Sequence, residues 1–227
     1  SLGIGLQLGR FLAIAGARVL LSARSEGKLA EAREEIVEEL RNIGYPRPET
    51  RVKILGDIDV GDPAALNRLH DHAVAELGHV DFLINNAGIS GAEEMVVDMT
   101  RADWDRTMEA NLISNYSLIR KFSPAMKAGG KGSILNVSSY FGGEKYVAGA
   151  YPNRADYAVS KAGQRVLAEI LSRHLGPEIQ INALAPGPVD GARLRGSAEA
   201  PGLFDRRGLL VLENKRLKVF ISRSNGV

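Results

Sequence analysis

The feature that most constrains this chain is a repeated alternation. A short apolar run ends in a polar or glycine-rich turn, and a segment with apolar residues at helical spacing follows. Strands are expected at residues 18–23 and 51–59 and in the apolar runs before Asn85, Ser138 and Pro186, with helices at about 26–43, 63–77, 100–128 and 155–175. In the first of these helices Leu29, Ala32, Ile36, Val37 and Leu40 form one stripe, and the run of glutamates lies on the opposite, wet face. Strands joined through helices by short loops predict an α/β architecture with a doubly wound parallel sheet. Such a sheet places ligands beyond the carboxyl ends of its strands. Three of those ends are Asn85-Asn86-Ala87-Gly88, Ser138-Ser139 and Pro186-Gly187-Pro188-Val189.

Bulk properties exclude several function classes. The 227 residues are enough for one α/β domain with a sizeable core. A balance of 29 Lys+Arg against 27 Asp+Glu gives no basic surface for nucleic acid. No cysteine is present, which excludes a disulfide framework, a Cys–metal site and a thiol nucleophile. No apolar run approaches the roughly 18 residues of a membrane span, and no signal peptide precedes the first helix, so the expectation is a cytoplasmic protein without membrane partners. His70 and His72 fall two apart on a helix and point to different faces, so no metal site is expected. His79 and His174 lie at helix ends, where a dipole interaction suffices, and Trp104, Met108 and Leu112 have the spacing of core residues.

The chemistry is carried by Tyr157 and Lys161. They stand four apart in a helical stretch and therefore share a face. A phenol titrates near ~10, and a cation beside it favours the phenolate, so the pair can exchange a proton with a carbonyl or alcohol oxygen. Upstream, Asn111 adds an amide and Ser139 a hydroxyl. Near the start, Gly3-Ile4-Gly5 opens an amphipathic helix whose N–H groups and dipole suit a pyrophosphate. At the end of the second strand, where an acidic residue would bind the ribose hydroxyls of NAD, the chain has Ala23 followed by Arg24. An arginine there suits the 2′-phosphate of NADPH through charge-assisted hydrogen bonds, the alternative being that Arg24 covers the adenine ring.

These motifs, in this order, resemble the short-chain dehydrogenase/reductase family over nearly all of residues 1–200. The resemblance implies a Rossmann-type fold with NADPH as cofactor, Tyr157 as general acid and Lys161 as the residue that tunes it and holds the nicotinamide ribose. Ser139, followed by Tyr140-Phe141-Gly142 as in the family, would hydrogen-bond the reacting carbonyl, and Ser138 would be a strand-end hydroxyl bonded to backbone. Asn111 would fix a water in a proton relay to Lys161. Cofactor contacts are implied for Gly3, Ile4, Gly5, Arg24, Asn86, Ala87, Gly88, Tyr157, Lys161, Pro186, Gly187 and Val189, and for Asp59 on the adenine amine, with Asp57 as the alternative.

The interval from Ser139 to Tyr157 spans eighteen positions, longer than most family members show. Together with the segments 111–116, 176–182 and 193–217 it is similar to the C-terminal half of the bifunctional malonyl-CoA reductase group, whose members are large multidomain NADPH enzymes. That resemblance implies reduction of malonyl-CoA to malonate semialdehyde by direct hydride transfer, with an acyl-CoA or aldehyde as the small-molecule partner. Arg193, Arg195 and Arg154 are candidates for the substrate, Arg154 facing either solvent or substrate. The alternatives are a general ketone or aldehyde reductase, including malonate semialdehyde to 3-hydroxypropionate, and a noncatalytic dinucleotide-fold scaffold. The chain begins inside the phosphate loop at Ser1, so the first strand is expected to lie outside this sequence. Residues 1–200 are read as the NADP-binding domain with the active site, and 201–227 as a substrate-loop helix and a tail of open meaning. A homo-oligomer or a module of a longer chain is expected.

Overall fold

The computed structural model describes residues 3–143, 148–189 and 218–220. Its elements alternate as expected: α1 (Ile4–Ile14), β1 (Val19–Ser22), α2 (Glu26–Asn42), β2 (Val52–Leu55), α3 (Pro63–Leu77), β3 (Phe82–Asn85), α4 (Arg101–Met108), α5 (Ser114–Ala128), β4 (Gly132–Val137), α6 (Ala155–Leu175), β5 (Ile179–Ala185) and β6 (Lys218–Phe220). Local chemistry sets the helix starts. Ser25, Asp62 and Thr100 accept hydrogen bonds from the backbone N–H groups of Lys28, Ala64 and Asp103, and Pro63 opens α3, where its missing donor costs nothing.

Strands β1 and β2 pair in parallel, as do β3, β4 and β5. Two findings refine the expected sheet. The last strand, β6, runs antiparallel to β5, with Ala183 opposite Phe220. Among the described residues the strands also form two sheets, β1-β2 and β3-β4-β5-β6, and the unpaired edges of β1 and β3 border one cleft. The strand expected over residues 51–59 contracts to Val52–Leu55, because Asp57 adopts a positive φ of 53° and breaks the extended run.

The core lies in two clusters. One packs α1 and α2 on β1 and β2 through Leu6, Ala13, Val19, Ala32, Ile36, Leu40 and Val52. The other packs α3, α5 and α6 on β4 and β5 around Leu69, Ile119, Phe122, Met126, Ile134, Ala168, Ile179 and Ile181. The whole expected stripe of α2 is buried. A fork from Arg10 to Glu39, with Nη2–Oε1 at 2.7 Å, ties α1 to α2 and holds the Glu39 carboxyl below the usual carboxylate range through that hydrogen bond. Trp104, Met108 and Leu112 are half-buried rather than core residues, because the helix expected over 100–128 is interrupted by a π turn at Glu109–Ile113 that re-aims its faces. Among the described residues no helix is long and apolar enough to cross a membrane, and no cluster of His, Cys, Asp or Glu could hold a metal.

Ile134 sits in the central strand β4 with no exposed surface. Ile134→Ala should therefore lower unfolding free energy by about 2–5 kcal/mol, the cost of the lost transfer energy plus a cavity. Urea denaturation measures this, and a loss under about 1 kcal/mol would show that β4 is not a packed centre.

Candidate active site

A cleft of about 1480 Å³ runs along the carboxyl ends of the strands and between β1 and β3. Every residue expected to hold the cofactor borders it: Gly3, Ile4 and Gly5 at the start of α1; Arg24 after β1; Asp59 after β2; Asn86, Ala87 and Gly88 after β3; Tyr157 and Lys161 on α6; Pro186, Gly187 and Val189 after β5. Ser139 and Arg154 border it too. Asp57 does not, so of the two aspartates only Asp59 stands on the cleft, its Oδ1 accepting from Gly61 N–H at 2.9 Å. Arg193 and Arg195 lie outside the described residues.

The end of the cleft that carries Ser139, Tyr157 and Lys161 is assembled by β4 and α6. Ser138 and Ser139 leave the end of β4 in different roles. Ser138 Oγ donates to Lys161 O at 2.6 Å, the strand-end bond expected of it, while Ser139 Oγ accepts from Phe141 N–H at 3.3 Å. The turn that follows touches the α6 backbone. A Cβ on Gly142 would stand 2.3 Å from Lys161 C and 2.5 Å from Ala162 N, so only glycine allows this approach. Phe141 then lies edge-on to the Tyr157 ring, with centroids 5.7 Å apart, and tilts against Tyr151 at 5.3 Å. Lys161 Nζ is 5.9 Å from the Tyr157 ring centroid and donates to Val137 O at 2.8 Å.

Asn111 occupies the π turn and is fully buried. Its Oδ1 accepts from Ile89 N–H at 2.8 Å, and its Nδ2 donates to Ile89 O at 3.0 Å and to Ser160 Oγ at 3.0 Å. The side chain thus fixes the segment just after Gly88 and joins it to α6. It does not border the cleft. Asn111 and Lys161 are also joined by a residue that the sequence pattern did not single out, Gln164, whose Nε2 donates to Asn111 O and whose Oε1 accepts from Lys161 Nζ at 3.2 Å.

Asp156 was also passed over. It is wholly buried, and its carboxylate accepts from Tyr157 N–H at 2.7 Å, Ala92 N–H at 3.0 Å and Thr107 Oγ1 at 2.7 Å. Gly91 adopts φ +87° against it, and a Cβ there would stand 2.5 Å from Asp156 Oδ2. Arg154 is 4% exposed, donates to Ser90 O at 2.9 Å and pairs with Glu93 at 2.9 Å. Arg154 is thus turned away from solvent, holding the loop after β3 against the start of α6. The available signal was position: Asp156 precedes Tyr157, and Gln164 lies one helical turn beyond Lys161.

Comparison with known proteins agrees with this geometry. Residues 1–201 match the family described as short chain dehydrogenase. The chain is 32% identical to the 7alpha-hydroxysteroid dehydrogenase of Escherichia coli (strain K12) over 188 residues, covering 82% of this chain and 67% of that protein. It is 34% identical to the trans-4-hydroxycyclohexanecarboxylate dehydrogenase of Sinomonas cyclohexanicum over 207 residues, covering 88% and 74%. Among solved structures it is similar to the C-domain, with NADP, of a bacterial malonyl-CoA reductase, at 57% identity and a TM-score of 0.82 over 86% of this chain, but spans only 30% of that one. A metagenomic short-chain oxidoreductase in complex with NADP aligns at 32% identity and a TM-score of 0.71, over 82% of this chain and 78% of that one. The chain belongs to the short-chain dehydrogenase family of nicotinamide-dinucleotide oxidoreductases.

Proposed function

We propose that this chain is an NADPH-dependent reductase that converts malonyl-CoA to malonate semialdehyde, working as a module of a larger enzyme. The observation that carries the reading is the gathering of Ser139, Tyr157, Lys161 and the cofactor residues on one cleft. The narrower substrate assignment is supported by the 57% identity to a malonyl-CoA reductase C-domain.

The cleft fits the cofactor in two respects. A Cβ on Gly3 or Gly187 would meet nothing within 4 Å, leaving open space at both glycine-rich turns, and Arg24 is exposed on the cleft where a 2′-phosphate would be neutralised. NADPH, when bound, supplies the hydride that forms the new C–H bond at the carbonyl carbon. Ser139 Oγ–H donates to the carbonyl oxygen and holds it toward Tyr157. Tyr157 O–H gives that oxygen its proton, and the Lys161 ammonium offsets the negative charge left on the phenol. Reduction of a thioester by one hydride and one proton gives a thiohemiacetal. Its C–S bond then breaks, releasing the CoA thiol and the aldehyde. With no cysteine in the chain, this route passes through no acyl-enzyme on a thiol. Arg193 and Arg195 are proposed for the substrate's anionic groups.

The similarity to hydroxysteroid and hydroxycyclohexanecarboxylate dehydrogenases favours one other reading, reduction of a simple ketone or aldehyde at the same site. An NADPH oxidation assay with malonyl-CoA, malonate semialdehyde and acetyl-CoA separates the two. Turnover of malonyl-CoA well above the others supports the proposal, and turnover of the aldehyde alone replaces it with the second reading.

Tyr157→Phe should lower turnover about 10²–10⁴-fold while NADPH binding, followed by its fluorescence, stays near wild type, because only the proton donor is lost. Near-normal turnover would remove Tyr157 from the reaction. Arg24→Ala should weaken NADPH far more than NADH, since the lost partner is the phosphate. Equal weakening in a titration with each cofactor would assign Arg24 to the adenine ring instead.

A further inference from the structure

Gln164 lies one turn beyond Lys161 on the face of α6 that meets the sheet, where a helix ordinarily presents an apolar side chain. It has no exposed surface, and neither end of its amide is idle. Oε1 accepts from Lys161 Nζ at 3.2 Å, and Nε2 donates to the backbone carbonyl of Asn111. Its own backbone carbonyl takes Asn136 Nδ2 from β4 at 3.3 Å. One residue thus connects the ammonium beside Tyr157, the π turn between α4 and α5, and the central strand. A buried amide is costly unless both ends are bonded, so full engagement at this depth marks a selected arrangement rather than incidental packing.

We infer that Gln164 is a positioning residue: its side-chain amide is a dry bridge that joins the Lys161 ammonium to the Asn111 carbonyl and so fixes the charge that acts on Tyr157. The ammonium is then held from two sides, by Gln164 Oε1 and by Val137 O at 2.8 Å. A primary amide neither takes up nor releases a proton near neutral pH, so the bridge sets position and transmits no proton. The other charged groups packed around this stretch already have partners: Asp156 accepts from Ala92 N–H and Thr107 Oγ1, Arg154 pairs with Glu93, and Arg165 donates to Gly142 O at 3.4 Å. Gln164 is thus a side chain of the same helix that bonds the Lys161 ammonium directly. This inference rests on the reductase reading for its effect on turnover, but its structural content does not.

The test uses Gln164→Glu, which keeps shape and adds a charge, and Gln164→Met, which keeps length and removes both bonds. Each is made with and without Tyr157→Phe. The difference in tyrosinate ultraviolet absorbance between each protein and its Phe counterpart, followed against pH without cofactor, reports Tyr157 alone. In Gln164→Glu the carboxylate pairs with the ammonium and should raise the Tyr157 midpoint by about one pH unit. In Gln164→Met the ammonium loses an anchor, so the midpoint should rise by a smaller step and kcat should fall about tenfold. A role in packing alone would lower the melting temperature of both variants and leave the midpoint in place, and that result overturns the inference. Should Gln164→Glu not fold, Gln164→Met decides: a wild-type midpoint and kcat overturn the inference, and a raised midpoint supports it. If the wild-type protein reduces none of the three carbonyl substrates, the reductase reading fails while the absorbance titration still decides the role of Gln164.

Discussion

The contact on which the rest of the site depends is the meeting of the β4 end with the backbone of α6. Ser138 Oγ bonds Lys161 O, Asn136 Nδ2 bonds Gln164 O, and Gly142 lies so close to Lys161 and Ala162 that no side chain fits between. Because two side chains at the strand end bond the α6 backbone and the Gly142 backbone packs directly against it, Ser139 on one side and Tyr157 and Lys161 on the other are held at a set offset. Edge packing of Phe141 on Tyr157 adds an apolar wall to the same junction.

Behind this junction lies a belt of buried polar residues, among them Asn111, Asn136, Asp156, Ser160, Lys161 and Gln164. Taking such groups out of water is expensive, and the expense is tolerable only because donors meet acceptors. The Asp156 carboxylate is met by two N–H groups and a hydroxyl, and the Asn111 amide spans from Ile89 to Ser160. Most of these bonds also join different elements. Asp156 connects the start of α6 to α4 and to the loop after β3; Asn111 connects the π turn to that loop and to α6. The polar belt is therefore directional, which an apolar core is not, and it fixes the orientation of α6 as well as its depth.

The cofactor side is built on a different principle. Its residues are distributed from Gly3 to Val189, and their common property is to border the cleft. Glycines there leave room for a phosphate backbone, and Arg24 brings charge. The parallel strands carry these ends to one side of the sheet, so this part of the cleft follows from topology, while the placement of Ser139, Tyr157 and Lys161 needs the specific bonds just described.

Much of this was legible in the sequence. The stripe of Leu29, Ala32, Ile36, Val37 and Leu40 announced the buried face of α2, because helical periodicity is a local signal, and α3 and α6 begin and end where their spacing placed them. The four-residue spacing of Tyr157 and Lys161 put both on one helix face, and the turns after the strand ends border one cleft. Three things were decided by tertiary structure. The π turn at Glu109–Ile113 broke a helix that local pattern ran through, since helix registers on either side must satisfy different neighbours. Arg154 turned inward because Glu93 and Ser90, some sixty residues earlier, fold over it. Gln164 and Asp156 acquired their roles from Asn111, Thr107 and Ala92, partners whose distance along the chain leaves no periodic trace. Sequence alone determined most of the helices and strands and which strand ends gather on one side of the sheet, because those signals are local or topological; the buried polar bonds that orient Tyr157 and Lys161 exist only once distant segments share one interior, where a polar atom is costly unless bonded.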